Sequence, residues 1–158
     1  MKRLTVFTAI VFLLALSYRP EVRADDDDIE CKAVTTTRIA GLFDRWNRSL
    51  ATLDPEQVAA NYAEGAVLLP TVSNVPRSSP EAIREYFVHF LEKQPIGRID
   101  QRWITIGCNV AWDVGLYTFR LVDHGVARNV AARYSFVYRY EGGVWLIAHH
   151  HSSVLPEG

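Results

Sequence analysis

Residues 131–155, reading AARYSFVYRYEGGVWLIAHHHSSVL, constrain this chain more than any other stretch. Apolar and polar residues alternate on both sides of Glu141-Gly142-Gly143, the pattern of two strands joined by a tight glycine turn. An isolated hairpin is marginal in water, so the rest of the chain has to supply a layer that buries one of its faces. Period-two alternation puts Tyr134, Phe136, Tyr138, Leu146, Ala148, His150 and Ser152 on one face. Arg133, Ser135, Val137, Arg139, Trp145, Ile147, His149 and His151 fall on the other, provided no bulge shifts the register.

Upstream, Ile39, Leu42, Phe43, Trp46 and Leu50 recur at the spacing of one apolar helical face. Asp54-Pro55-Glu56-Gln57 has the grammar of a helix start, with Asp54 as N-cap and Pro55 in the first turn. It predicts a short second helix to about Ala63 with Val58 and Tyr62 inward, stopped by Glu64-Gly65. Ala66–Pro70 reads as a short strand and Thr71–Ser79 as a polar loop. Ser79-Pro80-Glu81 opens a third helix whose apolar face is Ile83, Tyr86, Phe87, Phe90 and Leu91. Four strands follow, over 98–107, 110–122, 126–140 and 144–154, with short turns containing Gly or Asn. Helices first and an antiparallel meander afterwards is an α+β layout.

The chain has 158 residues, 49% of them hydrophobic and 22% charged, which is the size and composition of one globular domain. Lys2 and Arg3, the apolar run 4–16 and the small residues of Val22-Arg23-Ala24 mark residues 1–24 as a signal peptide, with cleavage after Ser17 as the alternative site. Losing those residues removes four of 17 basic and one of 18 acidic side chains, leaving 13 and 17, a net of −4. Asp25–Asp28 opens an acidic tail over 25–34 that is expected to stay disordered, followed by one folded domain over 35–156. The charge balance excludes nucleic acid and, after cleavage, an anionic membrane as partners. Secretion or a periplasmic location makes Cys31 and Cys108 a disulfide candidate worth about 4 kcal/mol, two separate buried thiols being the alternative. Asn47-Arg48-Ser49 matches the glycosylation sequon but falls inside the first helix.

With these elements in order, the chain resembles the nuclear-transport-factor-2-like (SnoaL-like, cystatin-like) superfamily. Within it, the chain is most similar to the association domain of calcium/calmodulin-dependent protein kinase II and its bacterial stand-alone relatives, some labelled SgcJ/EcaC-type. The residues that carry the likeness are IAGLFDRWNRSLATLDPEQVAANYAEGAVLLPTVSN, PEAIREYF, GLYTF and, above all, RYSFVYRYEGGVWLIAHHHSS. The resemblance implies a curved antiparallel sheet wrapped round the long first helix, a cavity inside the cone, and homodimers or higher oligomers made through the outer face of the sheet. It implies no kinase: the chain has no glycine-rich phosphate loop and no Val-Ala-Ile-Lys, His-Arg-Asp or Asp-Phe-Gly motif. Arginines that make the cavity of the eukaryotic hubs acid-binding align with Thr118, Phe136 and Ser152, so that geometry does not carry over.

Residue chemistry supports two readings. One is an oligomerising module that binds a small apolar or weakly anionic ligand, with Tyr62, Arg84, Tyr86, Thr118, Tyr134, Phe136, His150 and Ser152 as pocket candidates. Its subunit contact would use Arg133, Arg139, Trp145, Ile147, His149 and His151. The alternative is a cone-fold isomerase, dehydratase or oxidoreductase-like enzyme using acid–base groups in the cavity, although nothing pairs an obvious base with an obvious electrophile. No cofactor is expected. No metal is expected either, because consecutive strand residues point to opposite faces and only His149 and His151 could share an ion. Asp100, Asp113, Asp123 or His124 would have to complete such a set.

Overall fold

A computed structural model describes residues 30–71 and 73–156. The expected signal peptide and the Asp25–Asp28 run lie outside the described residues. Three helices and five strands follow in the order α1 (Thr36–Ala51), α2 (Pro55–Ala59), β1 (Tyr62–Leu69), α3 (Pro80–Leu91), β2 (Ile96–Ile106), β3 (Val110–Asp123), β4 (Val126–Glu141) and β5 (Val144–Val154). One sheet has the order β1-β5-β4-β3-β2, antiparallel throughout except for β1, which lies parallel to β5 at the edge.

The helices begin where capping chemistry places them. Thr35, Asp54 and Ser79 each accept a hydrogen bond from the backbone of the helix they precede, satisfying a donor that has no partner inside the helix. α2 is shorter than the apolar spacing implies. Asn61 Nδ2 donates to the carbonyls of Gln57 and Val58 and to Ser49 Oγ, closing the helix end. Tyr62 therefore starts β1 rather than ending a helix. Its burial was legible in the sequence; its element was not.

α1 lays Ile39, Leu42, Phe43, Trp46 and Leu50 into the concave face of the sheet, all buried. They meet Tyr117, Phe119, Tyr134, Phe136, Tyr138, Trp145 and Ile147 from the strands. Burying each such side chain contributes on the order of 2 kcal/mol. Gly115 is required where β2 and β3 pair, because a Cβ there would stand 2.0 Å from the carbonyl oxygen of Gln101. The crowding lies next to the irregularity of β2 between Ile99 and Gln101.

A second irregularity corrects the sequence reading of the last strand. Val137 pairs with His149, but Tyr138 pairs with Ile147, so Ala148 is an extra residue on β5. The bulge reverses the facing of everything before it. Trp145 and Ile147 turn into the core, 5% and 0% exposed, and Leu146 turns out. Both were expected at a subunit contact and neither is available for one.

Cys31 and Cys108 are joined, closing a separation of 77 residues. The bridge ties down the described part of the acidic tail, together with Lys32 N, which donates to Asn109 Oδ1 (2.7 Å), and Asn109 Nδ2, which donates to the Glu30 carbonyl (2.9 Å). Residues 30–34 are therefore anchored, contrary to the expectation of disorder across the whole tail. Asn47 uses both ends of its amide on the backbone of Gly97 and stays half-buried, so the sequon sits in a packed helix.

Candidate functional site

The concave side of the sheet leaves a cavity between α1, the end of β1, α3 and β3–β5. Trp46 forms its floor, Leu68, Pro70 and Thr71 one side, Tyr86, Phe87 and Phe90 the helical wall. Tyr117, Phe119, Leu121, Val130, Ala132, His150 and Ser152 complete it from the sheet. The walls take the centres of water-sized molecules over about 30 Å³, room for roughly two waters. Space between the walls, mouth included, comes to about 460 Å³.

Two polar arrangements serve this cavity. Ser152, facing inward two residues after His150, takes a hydrogen bond from the Tyr117 hydroxyl and shares another with Thr71 Oγ1, so these three hydroxyls satisfy one another. His150 is 4% exposed, and its Nδ1 lies 2.9 Å from the Tyr62 hydroxyl. Its ring stacks on Phe136 with centroids 4.0 Å apart and meets Trp46 edge-on at 5.2 Å. Burial, with the neighbouring His149 and His151 adding to it, pushes the His150 imidazole down to about 3, so it is neutral at ordinary pH. Burial likewise pushes the Tyr62 and Tyr117 hydroxyls up, and both stay protonated.

At the other end of the concave face lies a separate charged cluster. Asp113 is fully buried on β3 and accepts from the Tyr134 hydroxyl at 2.8 Å and from Arg102 Nε at 3.1 Å. The Arg102 guanidinium sits over the Phe43 ring, 5.7 Å from its centroid. Burial raises the Asp113 carboxyl, and the Tyr134 and Arg102 hydrogen bonds work against that rise. A buried pair held this way costs desolvation of both ions and is strongly disrupted when one partner is removed.

Of the expected pocket residues, Tyr86, His150 and Ser152 line the cavity, and Tyr62 and Phe136 stand directly behind His150. Tyr134 belongs to the Asp113 cluster instead. Arg84 does not face the cavity: it lies in the groove between α2 and α3, 3.4 Å from Glu56. Thr118 is on the convex face, where its hydroxyl donates to Asp100. Strand alternation turns Tyr117 inward instead, where its hydroxyl reaches Ser152. The cavity thus has hydroxyl and aromatic groups where an acid-binding one would need cations, and no Lys or Arg lines it.

The sequence reading missed Trp46, Phe87, Phe90, Thr71 and Tyr117 as walls, and it considered Asp113 only as a metal ligand. Splitting β3 by alternation, as the last hairpin was split, would have put Asp113, Tyr117 and Phe119 on one face. On the convex face, pairing aligns Val67, His149, Val137, Trp112 and Thr105 in one row, and Leu69, His151, Ser135, Val114 and Trp103 in the next. His149 and His151 therefore share the outer face, as expected. So does the exposed Arg133; Arg139 is held at the rim by Glu141 and the Glu64 carbonyl. Trp103 is 60% exposed and Trp112 40%.

A cone of this topology, with a helix in the concave face of the sheet, is a cystatin-like, NTF2-like domain. Solved structures agree. A Caulobacter vibrioides protein with a cystatin-like fold superposes with a TM-score of 0.64 over 77% of this chain and 89% of its own, at 18% identity. A Streptomyces avermitilis protein assigned as a dehydratase of the NTF2-like family gives 0.69 over 77% and 97%, at 9% identity. Those two show the fold alone. The sequence pattern of the family described as calcium/calmodulin dependent protein kinase II association domain matches residues 20–156, and the chain belongs to that family. A Xanthomonas campestris protein assigned to the same association domain is 46% identical, with a TM-score of 0.75 over 82% of this chain and 98% of that one. None of the curated proteins matches.

Proposed function

We propose that this protein is an exported association-type module that pairs with a second copy of itself and holds a small ligand in its cavity, without kinase activity. The observation that carries the self-association is the convex face. Two rows of mixed aliphatic, aromatic and polar side chains cross all five strands, and they carry two exposed tryptophans, Trp112 on β3 and Trp103 on the edge strand β2. Such a face left in water is unfavourable, and a second copy related by a twofold axis covers it with its own equivalent. The disulfide fits an oxidising compartment, which supports export. The ligand reading rests on the aromatic cavity with a few polar groups.

Light scattering across a concentration series tests the association. The wild-type chain is expected as a dimer or larger, and Trp112→Glu, which puts a charge into the middle of the face, is expected to weaken it at least thirtyfold. A monomeric wild type, or an assembly indifferent to Trp112→Glu, overturns the reading. One observation favours the second reading, an acid–base enzyme of the cone: a buried neutral imidazole beside a tyrosine hydroxyl in an enclosed site. It requires a turnover that His150→Ala abolishes.

A further inference from the structure

Two ring nitrogens of the cavity-lining residues are buried without a hydrogen-bond partner, Nε2 of His150 and Nε1 of Trp46. His150 gives Nδ1 to the Tyr62 hydroxyl, and its Nε2 is buried with no hydrogen-bond partner. A neutral imidazole carries one N–H, and the neighbours decide which nitrogen has it. If Nδ1 carried it, the Tyr62 oxygen would accept, leaving both the Tyr62 O–H and the Nε2 lone pair without partners. If Tyr62 donates to Nδ1, only Nε2–H is left over. The lower-cost arrangement is therefore Tyr62 donating to His150 Nδ1, which leaves an N–H donor on Nε2 of a residue that lines the cavity.

What that donor can bind is limited by the rest of the site. Among the lining residues there is no lysine or arginine; Arg77, whose backbone pairs with Leu68 and whose Nε is buried without a partner, lies outside the lining, and Arg102 and Arg45 are used elsewhere. Arg102 is on Asp113; Arg45 donates to Asn61 Oδ1 and the Trp145 carbonyl. A carboxylate placed here would lose its hydration without gaining a countercharge from any lining residue. The other wall hydroxyls, of Thr71, Tyr117 and Ser152, are already paired with one another. Aromatic and aliphatic surface makes up the remainder.

We infer that the cavity selects an uncharged molecule with an apolar body and a single carbonyl-type acceptor, a small ketone, aldehyde or amide, seated with its oxygen on His150 Nε2. The inference rests on the ligand-binding half of the proposed function and departs from the acid-binding expectation for hubs of this kind. Because the walls leave room for only about two waters, the proposal requires the walls to move apart when the ligand enters.

A matched set of five-membered rings tests it on the disulfide-bonded protein at pH 7: cyclopentanone, cyclopentane and cyclopentanecarboxylate, read by melting temperature and by titration. Cyclopentanone is expected to bind about tenfold more tightly than cyclopentane, and the carboxylate to give no shift. His150→Phe keeps the stacking on Phe136 and is expected to bring cyclopentanone down to the level of cyclopentane. Should that variant not fold, the 15N shifts of the His150 ring in the wild type give the same information: a protonated Nε2 that moves on adding the ketone. Binding of the carboxylate as tight as the ketone, a ketone no better than cyclopentane, or an unprotonated Nε2 each overturns the inference while leaving the cavity as a ligand site. No shift with any of the three overturns the cavity reading as well.

Discussion

His150 has a consequence for stability that can be followed with pH. Its folded-state value, about 3, lies below the ordinary 6.5 of a free imidazole. Between those two values the unfolded chain binds a proton that the folded chain does not, so stability rises with pH there. It is complete above about pH 6.5 and is lost progressively as the pH falls towards 3, on the order of 4 kcal/mol across the window. Urea unfolding at pH 7 and pH 4 should show the loss in the wild type and a much smaller one in His150→Phe. Gly115 makes a simpler prediction at the same scale. A methyl group there meets the Gln101 carbonyl, which is backbone and has nowhere to go, so Gly115→Ala should cost about 3 kcal/mol in a denaturant titration.

The last strand shows how one inserted residue redistributes function across an element. Without the Ala148 bulge, Trp145 would share the outer face with His149; with it, Trp145 packs against Tyr140 in the core while His149 stays outside. Two tryptophans that look alike in sequence then have different jobs. Trp145→Ala should lower the unfolding free energy by about 3–5 kcal/mol at any protein concentration. Trp112→Ala, on the exposed face, should leave the monomer's unfolding nearly unchanged and act on assembly. If Trp145→Ala changed only the assembly, the register assigned to β5 would be wrong.

At the scale of the whole molecule, the sheet depends on its two ends being held. The Cys31–Cys108 bridge fastens the segment before α1 to the turn between β2 and β3. Closing a loop of that length restricts the unfolded chain, and replacing both cysteines by serine should cost about 2–5 kcal/mol. Thermal melts of the oxidised, reduced and doubly substituted proteins check this; a melting temperature unmoved by reduction would refute it. The fold itself, one helix cupped by a meander, leaves one face for a cavity and the other bare.

Local chemistry in the sequence was enough for the element order, the caps at Asp54 and Ser79, the apolar face of α1 and the four-strand meander, because each depends on neighbours within a few residues. Alternation likewise separated His150 from His149 and His151 correctly, since the bulge lies before them. Family likeness and cysteine usage added the cone and the disulfide. Only the tertiary structure decided that Tyr62 starts a strand, that Arg84 turns to Glu56, and that Trp145 and Ile147 belong to the core. The Trp145 and Ile147 outcome follows from a single bulged residue and the Arg84 one from the packing of α3 against α2; both are set between segments apart in the chain and leave no mark in the residues themselves.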